Sequence, residues 1–366
     1  MRPPTSKTVS SRLMVWLAGG VICVGGCHRE TPPPSSDAAP AQALLRLTLP
    51  ELPQRPLGSD AVRQKVVALL AEDPAPYFRA QVQFLFHLAA QDQALELDFR
   101  PIQGSLAVEE PLAAVLANPP AALLLQFSSP LSTTAVATLS SLKEAGVALV
   151  ALDPPAAQQS LFDASVSCDP AKIGKTAAAL LVKALTKRAV DLRESSVSGN
   201  VMTLRGSDSD PVGQRIHQGL VAALEAHSGI RLVHDAPADW SLTNAATRFT
   251  EALRLQQRVD VVFAHDDLLG QAVHQIATEK EVRDALLLIG VNGFAGSEGG
   301  IEMIRTLQLD ATCQRPFLVD VAWRLIQRHL AGEPPPEPPH ILLSPRPITP
   351  SDLDQPRSLH PTVDDL

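Results

Sequence analysis

Between residues 65 and 291 the chain alternates short apolar runs with segments of helical spacing. Residues 65–71 form a continuous apolar run, which fits a strand buried on both faces better than a half-exposed one. Residues 77–91 have apolar positions at helical spacing, and 94–102 again reads as a strand. The pattern continues with a helix over 109–118, stopped by Pro119 and Pro120, and a strand over 121–126. It goes on with a helix over 133–146, ended by Gly146, and a strand over 147–153. Asp169 and Pro170 then signal the start of a helix over 171–187. Strands over 200–205, 230–236, 259–264 and 285–291 enclose helices over 211–227, 243–257 and 267–279. Strands alternating with helices predict parallel sheets covered on both faces. So many strands fit two sheets better than one. The expected fold is therefore α/β, with two similar lobes, each a parallel sheet flanked by helices.

Ligands of open α/β sheets bind beyond the carboxyl ends of the strands. That rule singles out a few loops. After the first strand, Pro74 and Pro76 turn the chain, and Tyr77 and Phe78 either sit at the mouth or pack into the core. Asp153 ends an apolar run and either accepts hydrogen bonds from a ligand or opens a turn before Pro154. Residues 206–210 form a polar loop holding Asp208. Asp210 before Pro211 is a helix-capping signal, and Arg215 faces either the cleft or solvent. Trp240 is a candidate stacking platform, with core packing as the alternative. Asn292, between Gly290 and Gly293, offers a donor and an acceptor where glycines allow close approach. His265, Asp266 and Asp267 stand in a row, but adjacent residues at a strand end point in different directions. That argues against three ligands converging on one metal ion. Asp267 is expected to start the next helix, and His265 to line the cleft or pack behind it.

Composition narrows the function. Hydrophobic residues make up 45% of the 366 residues, enough for two cores, and the net charge of -8 argues against nucleic acid as a partner. A G-x-S-x-G elbow, a phosphate-cradling Walker loop and H-E-x-x-H are all absent, so nothing points to an enzyme. No metal or cofactor is expected. The first residues carry Arg2, Lys7 and Arg12 ahead of a short apolar stretch over 13–24. With Gly25, Gly26 and Cys27 this resembles a bacterial lipobox. The expectation is a lipoprotein signal peptide over 1–26, lipidation of Cys27 and a membrane anchor that does not span. A Pro-rich linker is expected over 27–60 and a disordered tail over 357–366.

Several segments taken in order resemble the type I periplasmic solute-binding proteins, in particular the ribose/galactose-type sugar-binding subgroup. They are 237–240 (PADW), 262–267 (VFAHDD), 288–293 (LIGVNG) and 310–316 (DATCQRP), with 165–178 and 329–335 in support. The resemblance runs over about 62–350. It implies two lobes joined by a three-crossing hinge, with 61–168 plus 314–341 in the N-terminal lobe and 169–313 plus 342–356 in the C-terminal lobe. It also implies ligand capture in the interlobe cleft, no covalent chemistry, a monomer, and a membrane partner that is an ABC permease or a signalling receptor. By the same analogy Tyr77, Phe78 and Trp240 sandwich a sugar-like ligand, while Asp153, Asp266, Asn292 and Gln314 hydrogen-bond it.

The sequence departs from the family in informative places. Ala75 and Pro154 replace an Asn and an Arg, Asp266 replaces an amide, and Arg215 is one residue out of register with Gly219. Asp153, Asp266 and Asp208 then make the expected cleft acidic, which opens the way to an amino-substituted or cationic ligand. Cys168 and Cys313 both fall beside implied hinge crossings, which suggests a disulfide between them.

Overall fold

The computed structural model describes residues 63–353 except 104–107, 128, 256–257 and 297. The expected signal peptide, Cys27, the linker and the C-terminal tail lie outside the described residues. The first strand, β1 (Gln64–Ala71), buries Val66 to Leu70 almost completely, as a central parallel strand must. The chain continues through α1 (Pro76–Gln91), β2 (Leu95–Ile102), α2 (Glu109–Ala117), β3 (Ala122–Gln126), α3 (Thr133–Glu144), β4 (Ala148–Leu152) and β5 (Ala164–Cys168). Then come α4 (Pro170–Asp191), β6 (Gly199–Arg205), α5 (Pro211–Leu224), β7 (Ile230–Pro237), α6 (Leu242–Arg254), β8 (Val261–Ala264), α7 (Asp267–Glu279) and β9 (Leu287–Asn292). The last elements are α8 (Gly300–Arg305), β10 (Ala311–Gln314), α9 (Leu318–Leu330), β11 (His340–Leu343), β12 (Arg346–Ile348) and α10 (Pro350–Leu353).

Two six-stranded sheets result, ordered β2-β1-β3-β4-β5-β11 and β7-β6-β8-β9-β10-β12. Every pairing is parallel except that of β10 with β12. The chain passes between the lobes three times: after β5, after β10 and between β11 and β12. After β10, α9 returns to the first lobe and packs on α1, β4 and β5. β11 pairs with β5 as far as Leu343, so the third crossing falls at 344–345, slightly beyond the 341/342 boundary expected from sequence.

Each core is apolar and separate. In the first lobe Leu69, Leu123, Leu125 and Leu149 are fully buried, and in the second Met202, Phe249, Val262 and Leu288 are. Two glycines bring α4 and α5 together. A Cβ on Gly174 would lie 2.0 Å from the Ile216 carbonyl oxygen, and one on Gly219 2.1 Å from that of Ala171. This close approach fixes the start of α5 beside the crossing that follows β5.

The period-based reading found the long strands and the long helices up to β9, but not α9 (Leu318–Leu330). It missed β5, β10, β11 and β12, which have three to five residues each, too few to display a period.

Candidate functional site

The carboxyl ends of both sheets open onto a cavity of about 240 Å³. That is smaller than the roughly 300–1,000 Å³ typical of drug-sized ligands, and suits a single ring.

The first lobe contributes Glu72, Asp73, Tyr77, Phe78, Gln81, Gln126 and Asp153. Pro76 at the first position of α1 starts that helix without a side-chain cap, so Tyr77 and Phe78 enter on its first turn. Phe78 is buried and offers its ring to the cavity. Tyr77 is more committed. Its hydroxyl donates to the Pro316 carbonyl at 2.6 Å and lies 3.1 Å from Gln81 Oε1, while the Arg315 guanidinium covers its ring at 3.8 Å. The expected sandwich of Tyr77, Phe78 and Trp240 therefore changes: Tyr77 is a platform for a cation. Burial holds the Tyr77 phenol well above its ordinary range, outweighing the opposing effect of Arg315.

Asp153 follows β4 in the left-handed region, at φ 47. One of its oxygens accepts from the Cys168 amide at 3.1 Å, and the other lies 3.5 Å from Arg315. Burial raises its pKa, and Arg315 works against that rise. Arg315 itself belongs to the crossing after β10, and its Nε has no hydrogen-bond partner among the described residues. Sequence reasoning missed it because β10 was not recognised as a strand. Applying the strand-end rule there would have pointed to Arg315.

The second lobe contributes Asp210, Trp240, His265 and Asn292. Asp210 caps α5, accepting from the Val212 and Gly213 amides at 2.9 Å each. Trp240 sits at φ 56, directly after Asp239 at φ 49, a backbone conformation that bulky residues seldom adopt. Such strain concentrates where the surroundings hold a residue for a purpose. Gly206 makes room for the indole, since a Cβ there would lie 2.1 Å from Trp240 Cζ2. His265 is 2% exposed, and neither ring nitrogen has a hydrogen-bond partner among the described residues.

Asp266 and Gln314 are not part of the cavity wall. Asp266, 1% exposed, caps α7 by accepting from the Leu268 amide at 2.8 Å, and its other oxygen accepts from Asn292 Nδ2 at 2.6 Å. It therefore orients Asn292, which lines the cavity. Gln314 Nε2 donates to the Gly293 carbonyl at 3.1 Å, behind the same turn. Asp267 is the first residue of α7, but its side chain braces the lobe by accepting from the Gly293 and Gly300 amides and from Thr312 Oγ1. Burial raises the pKa of Asp266 to about 7. Burial, then the neighbouring Asp266 charge, raises that of Asp267 to about 8. Burial thus shifts the carboxylate that replaces the expected amide at 266 toward its neutral form.

Three further expectations are corrected. Asp208 points to solvent and pairs with Arg205 at 2.7 Å, its side chain 70% exposed. Arg215 is likewise outside, paired with Asp169 at 2.9 Å. Cys168 and Cys313 are free, buried thiols rather than a disulfide. Cys168 ends β5 of the first sheet in register with Leu343, whereas Cys313 lies in β10 of the second sheet in register with Val291. Burial raises both thiols, to about 11 for Cys168 and further for Cys313. Among the described residues no group of three or more His, Cys, Asp or Glu side chains forms a metal site, and no helix is long and apolar enough to cross a membrane.

Two α/β sheets joined by three crossings, with one ring-sized cavity at their carboxyl ends, define a two-lobed binding protein. Residues 81–334, well over half of the chain, match the family described as the periplasmic binding protein domain, and the chain belongs to that family. The family is one of extracytoplasmic solute-binding proteins, not a class of enzymes. Over 173 residues the chain is 22% identical to the D-allose-binding periplasmic protein of Escherichia coli, a stretch covering 46% of this chain and 52% of that protein. The match thus spans about half of that relative's length. The fold is similar to an ABC transporter periplasmic solute-binding protein from Actinobacillus succinogenes with bound D-allose, at TM-score 0.65 and 16% identity, covering 80% of this chain and 99% of that one. It is also similar to the fructose-binding periplasmic domain of a hybrid two-component system, at TM-score 0.59 and 18% identity, covering 80% of this chain and 92% of that one.

Proposed function

We propose that the protein captures one monosaccharide-sized polyol in the interlobe cavity and delivers it to an ABC importer. The observation that carries this reading is the cavity itself. Two ring faces, Phe78 and Trp240, are combined there with polar groups from both lobes around a space for one ring. A sugar has apolar faces and a hydroxyl rim, which such a lining complements. Asp153 and Asn292 act as hydrogen-bonding groups toward the ligand, and Asp266 and Gln314 support the turn that presents Asn292. The protein works as a monomer, tethered by lipid on Cys27 so that the binding lobes stand clear of the membrane. The likeness to a two-component sensor domain favours a second reading, in which the liganded form is presented to a signalling receptor.

A thermal-shift screen of pentoses, hexoses and cyclitols tests the binding step. A ligand held only by the folded state stabilises it by about 2.7 kcal/mol at a hundred times its Kd. The expected result is a saturable rise for at least one sugar, and no rise across the panel contradicts the reading. Deletion of the gene separates the two roles: lost uptake of that sugar supports import, and normal uptake with a lost response supports sensing. Incorporation of labelled fatty acid, absent in Cys27→Ala, checks the anchor.

A further inference from the structure

Buried polar groups in folded proteins are nearly always paired, and exceptions mark places where something else completes the bonding. Here such exceptions gather on the cavity wall: Gln81 Nε2, Gln126 Oε1, Arg315 Nε and both ring nitrogens of His265. His265 stands out because its whole hydrogen-bonding capacity is unmet while the side chain is 2% exposed.

We propose that His265 is a specificity-determining residue of the second-lobe wall, hydrogen-bonding a hydroxyl of an uncharged polyhydroxylated ring that Arg315 contacts from the crossing. This rests on the sugar-binding reading above. The imidazole is held in place. Its backbone amide donates to the Leu204 carbonyl at 2.9 Å, the Phe263 ring lies 5.1 Å away by centroid, and the His217 ring lies 6.4 Å away. Burial first, then the His217 and Arg205 charges against an opposing Asp235, lowers its pKa to about 3. It therefore stays a neutral ring with one N–H and one lone pair, the same pair of roles a hydroxyl offers in return. Arg315 lies 3.5 Å from Asp153, which balances its charge. A ligand carboxylate would face Asp153 and the His265 lone pair, and an ammonium placed beside His265 would face the guanidinium, with Glu72 and Asp73 elsewhere on the wall. Hydroxyls satisfy all of them. A histidine that only filled space would be replaceable by an apolar side chain at no cost to binding.

The test uses the full chain, calorimetric titration and ligand-free melting curves. Its probes are D-allose, D-ribose, D-fructose, myo-inositol, D-glucosamine and D-glucuronate. His265→Leu is expected to melt no lower than wild type without ligand, because it removes unmet polar atoms, yet to lose at least tenfold in affinity for the best neutral probe. His265→Gln, with its donor and acceptor differently spaced, is expected to change the rank order of the neutral probes, and it decides the matter alone if the leucine variant does not fold. Affinity and rank order unchanged in the variants would overturn the proposal. Tighter wild-type binding of glucosamine or glucuronate than of every neutral probe overturns its uncharged-ligand part. If wild type binds none of the probes, the proposed function falls and this inference with it. If wild type binds and the variants match it, only the inference falls.

Discussion

On the first-lobe side of the cavity, opposite charges meet at the wall itself. Arg315 lies over Tyr77 and 3.5 Å from Asp153, and all three line the space. On the second-lobe side the carboxylates are turned to other work. Asp210 caps α5, Asp266 caps α7 and holds Asn292, and Asp267 ties Gly293, Gly300 and Thr312 together. Besides the capping Asp210, what remains for a ligand there is neutral: an indole, an imidazole and an amide. The comparison shows that counting acidic residues near strand ends misjudges a cleft. An aspartate that serves the fold offers fewer free lone pairs to a ligand, yet the wall keeps an acidic character on the first-lobe side, where Glu72 and Asp73 join Asp153 beside Arg315.

The largest test of the contrast is at Trp240, the main apolar face of the neutral wall. Trp240→Ala is expected to weaken sugar binding by roughly 2–3 kcal/mol, about thirtyfold or more, from lost apolar contact and stacking. The unfolding midpoint of the ligand-free protein should change little, because the side chain is only partly buried. Titration calorimetry measures the first quantity and denaturant unfolding the second.

Next comes the charged wall. Arg315→Met leaves Asp153 without its cation. The expected loss of stability is about 2 kcal/mol, below the ~3–5 kcal/mol of fully enclosed pairs because the Asp153 side chain is 29% exposed. Adding Asp153→Asn should recover most of that loss in urea unfolding. A double variant as unstable as the single one would separate Arg315 from Asp153.

The inward carboxylates give a pH-dependent signature. Asp266 and Asp267 have folded-state pKa values raised above the unfolded one, so the folded protein holds more protons between the ordinary carboxylate range and about 7 to 8. Stability should therefore fall as pH rises from about 5 to 8. Asp267→Asn should flatten that slope, because the amide oxygen can still accept from the Gly293 and Gly300 amides while its NH2 faces Thr312. Unfolding curves at several pH values check this. At the bottom of the scale, Asp208→Asn and Arg215→Gln should leave sugar affinity within about twofold, as for other exposed positions.

The fold was largely legible because parallel strands buried on both faces are written as unbroken apolar runs, such as 65–71 and 121–126. The site was legible in part. Phe78, Asp153, Trp240 and Asn292 were found because they stand at strand ends in loops of distinct chemistry, and all four line the cavity. Asp266 was misplaced because a capping aspartate and a ligand-binding one look alike in sequence, and only the 2.6 Å bond to Asn292 tells them apart. Asp208 and Arg215 lie one turn from the cavity, where orientation decides and sequence does not record it. Arg315 was overlooked because it follows a strand of four residues, and Gln81 because it lies a helical turn behind the aromatic pair.

The central claim is that a neutral ring lies between Phe78 and Trp240, with its hydroxyls read by the unpaired atoms of both walls. A crystal structure of the protein with its best-binding sugar tests this most directly. The account predicts the ring stacked against Trp240 and Phe78, with hydroxyl oxygens at about 2.6–3.2 Å from His265, Arg315 and Asn292. A sugar bound outside the cavity, or one held by Asp208 and Arg215 with the His265 nitrogens still unpaired, would contradict it.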